Sequence, residues 1–303
     1  MLRIFLLILL LSVQPAWGHF YPYIGEHRHY YYDNNDEVIA HAQNDPVEFW
    51  KYANLEEAKL IAESSVNIDY DKALSGRLIH YYHKNDYSNT EYAIQGDKVL
   101  PWLVKQGANV NQIVRFNNYG QEMDDHLIEL VELSTELFLL FLDRLDDVNM
   151  TYLDGDSLLA GQFHLSGLNE EEIYKRVKAL LDKGADINKT ITKYIVGTPL
   201  MHAVYAGTKQ KFYPDYFYKD YNHSIEMIKL LLDYGADIHI TNSNGHTAWD
   251  MFRCLSDRYI FEHRKGIKQL EELIKPANIR PLAALNCRKN PIEIWDFRKE
   301  ARY

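Results

Sequence analysis

The chain has 303 residues, of which 47% are hydrophobic, and its formal net charge at pH 7 is −10. A chain this acidic is repelled by nucleic acid and by anionic lipid, which argues against both as partners. Its two cysteines exclude a disulfide-dense scaffold, and the hydrophobic fraction is sufficient for a buried core. We therefore expect a soluble globular protein.

Residues 1–18 have the pattern of a secretory signal peptide. Arg3 precedes an apolar run over residues 4–13, and the small residues Ala16 and Gly18 mark a cleavage position after Gly18. This run is shorter than the roughly 20 residues that span a bilayer. We expect cleavage, export to the periplasm or out of the cell, and no membrane association afterwards. The alternatives are an uncleaved anchor and a buried N-terminal helix.

Residues 19–43 are rich in histidine and tyrosine and lack helical periodicity, so we expect an arm ahead of a first helix near Pro46. His27 and His29 form a His-x-His pair with His19 nearby, an arrangement that can bind Zn²⁺ or Cu²⁺. No ligand spacing here matches a structural zinc site. We therefore favour a disordered or loosely docked arm whose aromatic rings cover the exposed end of the first repeat, and we assign no metal and no cofactor.

One phrase occurs twice in the second half of the chain. Residues 178–188 read KALLDKGADIN and residues 229–239 read KLLLDYGADIH. Gly184 and Gly235 suit the left-handed residue that ends a helix, and Asp186 and Asp237 then favour a turn. Ahead of the second copy stands Gly197-Thr198-Pro199-Leu200-Met201-His202-Ala203, in which Thr198 can cap a helix that begins at Pro199.

These residues resemble the ankyrin repeat, whose signature is T-P-L-H-x-A and whose period is about 33 residues. Weaker copies close earlier units at residues 65–67, 106–111 and 145–149, and Gly245-His246-Thr247-Ala248-Trp249-Asp250 opens the last unit. The resemblance implies an all-α solenoid of about six stacked helix-turn-helix units over residues 44–275, clearest at 197–275. Every unit exceeds the family period, so every unit carries an insertion. Met201 stands where the family has histidine, so the family's histidine contact does not carry over.

The largest insertion is rich in aromatic residues and interrupts the unit that begins at Pro199. Such side chains dominate the energetics of protein interfaces, which makes this loop a candidate partner-binding site. Its aromatic residues are Phe212, Tyr213, Tyr216, Phe217, Tyr218 and Tyr221. The alternative is that the rings fold back over the ends of neighbouring helices.

Residues 276–303 leave the repeat pattern and are expected to cap the open end of the solenoid. Pro276 and Pro281 break helix, and Asn290-Pro291 can begin a short helix through Ala301. Cys254 and Cys287 either pair in an oxidising compartment or remain two buried thiols, since spacing alone does not decide.

The sequence contains no motif typical of catalysis, such as His-Glu-x-x-His, Gly-x-Ser-x-Gly or Cys-x-x-Cys. His202, His239 and His246 lie at positions where ankyrin units place turn and cap residues. The resemblance therefore implies a non-catalytic module that grips a protein partner with its turn tips and first helices. One alternative is an inhibitor or immunity protein for a toxin or enzyme. The other is a metal-dependent hydrolase built from the inserted loops and the His/Tyr arm.

Overall fold

The structure is a computed structural model that describes residues 30, 32–83, 94, 96–118, 121–132, 134–153, 155–163, 165, 168–190, 197–209, 221–258, 267–281, 284, 285 and 287. Its α-helices are α1 (Asn35–Asn44), α2 (Pro46–Tyr52), α3 (Leu55–Glu63), α4 (Tyr70–His83), α5 (Val99–Lys105), α6 (Thr135–Asp143), α7 (Leu158–Gly161), α8 (Glu170–Asp182), α9 (Pro199–Lys209), α10 (Tyr221–Asp233), α11 (Ala248–Arg258) and α12 (Ile267–Ile274). Strands β1 (Ile113–Asn118) and β2 (Gln121–His126) and a 3₁₀ helix (Glu129–Val131) lie between α5 and α6.

From α2 onward the helices follow one another in pairs, which we number as units 1 to 6. The pairs are α2 with α3, α4 with α5, the 3₁₀ helix with α6, α7 with α8, α9 with α10, and α11 with α12. The second helices of consecutive units contact one another in order from α3 to α12, and among the first helices α2 contacts α4, and α9 contacts both α7 and α11. The described helices therefore form a two-layer solenoid, and the predicted fold is confirmed.

Helix α8 shows how local sequence builds such a unit. At its start the Asn169 side chain accepts the N–H of Glu172 at 3.0 Å, and the Glu172 carboxylate accepts the N–H of Asn169 at 3.1 Å. The buried side chains Ile173, Val177, Leu180 and Leu181 then recur with helical spacing on one face. Gly184 ends the helix with a φ of 87°.

The N-terminal boundary differs from the prediction, because α1 precedes the helix at Pro46. The Asn34 side chain caps α1 by accepting the N–H of Glu37 at 3.1 Å. Val38 and Ala42 are its buried residues, and α1 contacts both helices of unit 1. Two apolar positions on one helical face are too few to show a period in the sequence, so residues 35–43 were wrongly included in the arm.

A two-stranded hairpin is the other feature that an all-α prediction missed. β1 and β2 are antiparallel, with Val114 opposite Asp125 and Phe116 opposite Met123. Val114 and Phe116 are buried, and β1 contacts α4, so the hairpin packs against unit 2. Its second strand reads QEMDDH, a composition disfavoured in strands, which hid it from the sequence pattern.

Candidate functional site

The turns between units lie at one end of the solenoid, where each second helix stops and the next first helix starts. We call this end the turn edge; its described turns lie within residues 64–69, 106–134, 144–157, 183–190 and 234–247. It includes the β1–β2 hairpin. Gly184 and Gly235, for which the sequence predicts left-handed conformations, have φ of 87° and 92°.

Consecutive turns are joined by asparagine side chains. The amide of Asn188 donates to the carbonyl of Gly235 at 3.2 Å, and its Oδ1 accepts the N–H of Asp237 at 2.9 Å. Asn149 bonds Gly184 and Asp186 in the same way, at 3.3 and 2.6 Å. Asn111 repeats the pattern with Arg144 and Asp146 at 3.3 and 2.9 Å. Each asparagine thereby fixes the position of the next turn.

Hydrogen bonds of aspartate and lysine side chains also stabilise the turns. Asp186 and Asp237 accept the N–H groups of the residues two places on, at 2.9 and 2.7 Å, as the turn prediction requires. The ammonium of Lys183 donates to the carbonyls of Leu142 and Asp143 at 2.6 and 2.7 Å. The Lys183 ammonium thus bonds backbone carbonyls of the preceding unit. Because such bonds hold the turns in place without a partner, the turn edge is a preformed surface.

The helix starts of units 5 and 6 differ in how they are fixed. Thr247 Oγ1 accepts the N–H of Asp250 at 3.2 Å, and the Asp250 carboxylate accepts the N–H of Thr247 at 3.0 Å. In unit 5 the Thr198 Oγ1 lies 3.4 Å from the N–H of Met201. Met201 is buried beneath Gly197, where a Cβ would lie 2.6 Å from its sulfur. The residue in the family's histidine position therefore packs closely under Gly197, and a Cβ there would require the Met201 side chain to shift.

Exposed hydrophobic residues concentrate at the turn edge. The large hydrophobic side chains of high exposure in the described chain are Val47, Ile113, Met123, Leu153, Tyr234 and Ile279. Val47 lies in the first turn of a first helix, and Tyr234 follows a second helix. Ile279 precedes Arg280, whose guanidinium donates to the carbonyl of Gly245 at 2.6 Å. Four of the six, Ile113, Met123, Leu153 and Tyr234, therefore lie within the turns.

The outer face of the hairpin carries an ion pair. The Arg115 guanidinium donates to both carboxylate oxygens of Asp124, at 2.7 and 2.9 Å. These hydrogen bonds lower the pKa of Asp124 and raise that of Arg115. Glu122 on the same strand is exposed, and Ile113 beside the pair is 57% exposed. The hairpin thus presents an apolar residue framed by charges.

The aromatic insertion predicted as the partner site lies outside the described residues from Phe212 to Tyr218. Tyr221 begins α10, and its side chain also lies outside them. The flanking helices place the two ends of this loop between a first and a second helix. Those helix ends lie opposite the turns of unit 5.

The histidines have structural positions. His202 is fully buried, and the backbone N–H of His239 donates to its turn aspartate. His246 lies 2.6 Å through Nε2 from the carbonyl of Leu285. In the described part of the chain no group of three or more His, Cys, Asp or Glu side chains could hold a metal ion. His19, His27 and His29 lie outside that part.

Two buried arginines between units were not found from the sequence. Arg77 bonds Asp97 at 2.5 Å and the carbonyls of Trp50 and Ala53 at 2.8 and 3.0 Å. Arg176 bonds only the hydroxyl of Thr135, at 2.9 Å, and both of its terminal nitrogens are buried without a hydrogen-bond partner.

Burial around the two arginines shifts the pKa values of Arg176 and of Tyr81, which shares Asp97 with Arg77. Arg176 lies over the ring of Phe138 at 4.7 Å, and burial lowers its pKa to about 10. Burial raises the pKa of Tyr81, whose hydroxyl donates to Asp97. The partner of Arg77 is 20 residues away in sequence and that of Arg176 is 41 residues away, so neither contact leaves a local pattern in the sequence.

The C-terminal segment returns to unit 6. A disulfide joins Cys254, in α11, to Cys287, with their Cα atoms 5.3 Å apart. Arg280 also forms an ion pair with Asp250. The described cap residues therefore lie against α11, while the short helix predicted from Asn290 lies outside the described residues. None of the helices in the described ranges is long and apolar enough to cross a membrane.

Comparison with known proteins identifies the repeat. Residues 197–243 match the family model described as "Ankyrin repeat". No curated protein matches the chain. Among solved structures, it is similar to the crystal structure of the ankyrin repeat domain of Bcl-3, a member of the IkappaB family, at 20% identity and a TM-score of 0.41, covering 72% of this chain and 80% of that one. Residues 197–243 therefore contain an ankyrin repeat, as the sequence predicted, and stacked helix pairs lie on either side of it.

Proposed function

We propose that this chain is an exported, non-catalytic module that binds a protein partner through its turn edge. Ankyrin repeats indicate a protein–protein interaction module, and the solenoid fold displays a long preformed surface for that purpose. What we propose beyond this is that the chain is exported and that it binds its partner through the turn edge.

The distribution of exposed hydrophobic residues carries the proposal. Single exposed apolar side chains are common on soluble proteins, but four of the six highly exposed ones among the described residues share the turn edge. Ile113 in the hairpin and Leu153 in the turn before unit 4 are 57% and 51% exposed. Neither is needed for the core. The asparagine bonds between turns hold these residues in fixed relative positions, which lowers the entropy lost on binding.

Charge favours a basic partner. The chain carries a net charge of −10, and Lys183 and Lys189 direct their ammonium groups to backbone carbonyls at 2.6 to 2.7 Å. Arg115 is likewise paired with Asp124. The same charge supports the second candidate function, an inhibitor or immunity protein whose target is a basic toxin or enzyme. The two functions use the same surface, but only in the second does binding abolish the activity of the partner.

Two observations support export. Residues 1–18 have the signal-peptide pattern, and the Cys254–Cys287 disulfide is typical of proteins in oxidising compartments. The N-terminus of the protein recovered from its native source tests this directly. We expect it to be His19, and an intact Met1 on the mature protein would contradict export with cleavage.

Capture of the partner from the native compartment tests the turn edge. The double variant Ile113→Ser, Leu153→Ser should lose a partner that the parent chain retains at constant stoichiometry. Glu171→Ser, an exposed change at the opposite end of unit 4, is the matched control and should retain it. A third variant replaces Tyr213, Tyr216, Phe217 and Tyr218 with serine. Loss of the partner only in this third variant would assign binding to the aromatic insertion instead.

The hydrolase alternative has its own test. A metal-dependent enzyme needs a bound ion, so the purified mature protein would contain Zn or Cu at one equivalent per chain. A substoichiometric metal content that dialysis against chelator removes without change in stability argues against that class.

A further inference from the structure

The second strand of the hairpin is exposed to solvent on both of its faces. In the pairing register, Glu122 and Asp124 share the outer face with Arg115, and Met123 shares the packed face with Phe116. Glu122, Met123 and Asp124 are nevertheless all exposed, whereas Phe116 is buried. Solvent therefore reaches β2 from both sides of the sheet along these three consecutive residues.

The register also shows where the backbone groups of β2 point. Just beyond the paired residues, the N–H of Leu127 donates to the carbonyl of Gln112 at 3.0 Å. Because hydrogen-bonded and non-hydrogen-bonded pairs alternate in an antiparallel ladder, the N–H and carbonyl groups of Glu122 and Asp124 point away from β1. The N–H of His126, in the same phase, donates to a side-chain carboxylate at 3.2 Å. We call this side of residues 122–126 the β2 edge.

We propose that the β2 edge binds an extended basic segment of the partner as a third strand of the sheet. Strand addition takes its affinity from main-chain hydrogen bonds and its specificity from alternate side chains. The outward N–H and carbonyl groups of Glu122 and Asp124 would supply those bonds. This inference rests on the proposed function, because it names the kind of segment that the turn edge recognises.

The hairpin holds the β2 edge in place before any partner binds. Val114 and Phe116 are buried, and β1 contacts α4. Across the two strands, the guanidinium of Arg115 donates to both carboxylate oxygens of Asp124. Because the receiving strand is already ordered, only the incoming segment loses conformational entropy on binding.

Charge selects the occupant of the β2 edge. Residues 113–126 contain one arginine and three carboxylates, which is a local net charge of −2 with histidine neutral. Side chains of an added strand lie directly opposite those of Glu122 and Asp124, where opposite charges stabilise the pairing and like charges destabilise it. Lysine or arginine at alternate positions therefore fits, with apolar residues between them on the face of Met123. A second copy of β2 would place carboxylates against carboxylates.

A synthetic peptide tests the β2 edge without the native partner. The probe is Lys-Val-Lys-Val-Lys-Val-Lys with both ends blocked, and titration calorimetry measures its binding to the whole chain. Glu122→Ala removes a carboxylate and should weaken binding by about two- to fivefold. Glu122→Pro removes the same carboxylate and also the outward N–H, so it should weaken binding by a further factor of about five. Proline is tolerated here because that N–H does not pair with β1.

Two controls separate main-chain bonding from charge. The same peptide with methylated backbone nitrogens keeps its charge but has no N–H donors, so the parent chain should bind it at least about tenfold more weakly. This comparison does not depend on how any variant folds. Glu171→Ala removes an exposed carboxylate outside the turn edge and should leave peptide binding unchanged.

Several results would overturn strand addition. They are no binding of the peptide, equal binding by Glu122→Ala and Glu122→Pro, or equal binding of the methylated and unmethylated peptides. A dimer of the parent chain that Glu122→Pro dissociates, seen by sedimentation, would assign the β2 edge to a second copy instead.

Partner capture distinguishes this inference from the proposed function. Loss of the partner in Glu122→Pro but not in Glu122→Ala would support strand addition. If Glu122→Pro retains the partner that Ile113→Ser, Leu153→Ser loses, the turn edge remains the binding surface and strand addition is wrong. If all of these variants retain the partner, the proposed function fails as well.

Discussion

Asn188 and Asp237 belong to consecutive units, 49 residues apart in sequence, yet the side-chain oxygen of Asn188 accepts the backbone N–H of Asp237 at 2.9 Å. The same asparagine amide bonds the carbonyl of Gly235 at 3.2 Å. One side chain therefore satisfies both a donor and an acceptor of the next turn. Because Asn149 and Asn111 do the same one and two units earlier, these bonds connect the turns from residue 111 to residue 237.

Asn188→Ala removes both of these bonds. The groups left behind are exposed enough for water to replace the asparagine, so we expect a loss of about 1 kcal/mol in the free energy of unfolding. Chemical denaturation measures it. Asn278→Ala, an exposed asparagine in the C-terminal segment, is the control and should change stability by less than about 0.5 kcal/mol. Equal losses in the two variants would mean that the turn bonds contribute nothing.

Gly235→Val tests the turn itself. Gly235 has a φ of 92° with open space around its Cα, so the cost comes from backbone strain alone. We expect at least about 1 kcal/mol of destabilisation, seen as a lower denaturant midpoint. Gly76→Ala in the interior of α4 is the matched control, because there too a Cβ meets nothing within 4 Å. Helix propensity predicts that the control is neutral or stabilising, by up to about 1 kcal/mol.

Turn chemistry also explains what the sequence could predict. The turns depend on contacts between residues close together in sequence, so the sequence pattern reveals them. This holds for Gly184, Asp186, Gly235 and Asp237. The hairpin at residues 113–126 and the pairing of Arg77 with Asp97 depend on contacts between distant segments. Such contacts leave no period and no fixed spacing. The exposed residues of the turn edge could be recognised only once the turns were placed side by side.

Acid should weaken the start of unit 6. Burial acts to raise the pKa of Asp250, but hydrogen bonds from Thr247 and Arg280 outweigh it and lower that pKa. A carboxyl with a lowered folded-state pKa stabilises the fold above its unfolded value of about 3.9, and the contribution disappears as the pH falls through the folded value.

A melting temperature series below pH 5 checks this expectation. Asp250→Asn removes the titrating group, so the variant should lose less stability than the parent between about pH 5 and pH 2. Asp143→Asn, whose side chain is 78% exposed, is the control for removing a carboxylate away from unit 6. Parallel curves for the parent and Asp250→Asn would show that Asp250 does not contribute.

We expect substitution by methionine to change stability differently at the two buried arginines. Arg77→Met leaves the Asp97 carboxylate buried without its cationic partner and removes the donors that serve Trp50 and Ala53. We expect a loss of about 3 to 5 kcal/mol. Arg176→Met instead removes a guanidinium that is fully buried and has two unbonded nitrogens.

Methionine can fill the volume of Arg176 and keep contact with the Phe138 ring, while the cost of burying an incompletely bonded charge disappears. Glu132 and Glu172, whose charges act on Arg176, then lose that cation, so we expect Arg176→Met to cost less than Arg77→Met by at least about 1 kcal/mol. Thr135 loses one hydrogen bond and retains a hydroxyl 3.3 Å from Glu172. Urea denaturation of both variants beside the parent measures the contrast. If Arg176→Met cost as much as Arg77→Met, the two terminal nitrogens of Arg176 would have to be bonded in solution, and the buried charge would be stabilising.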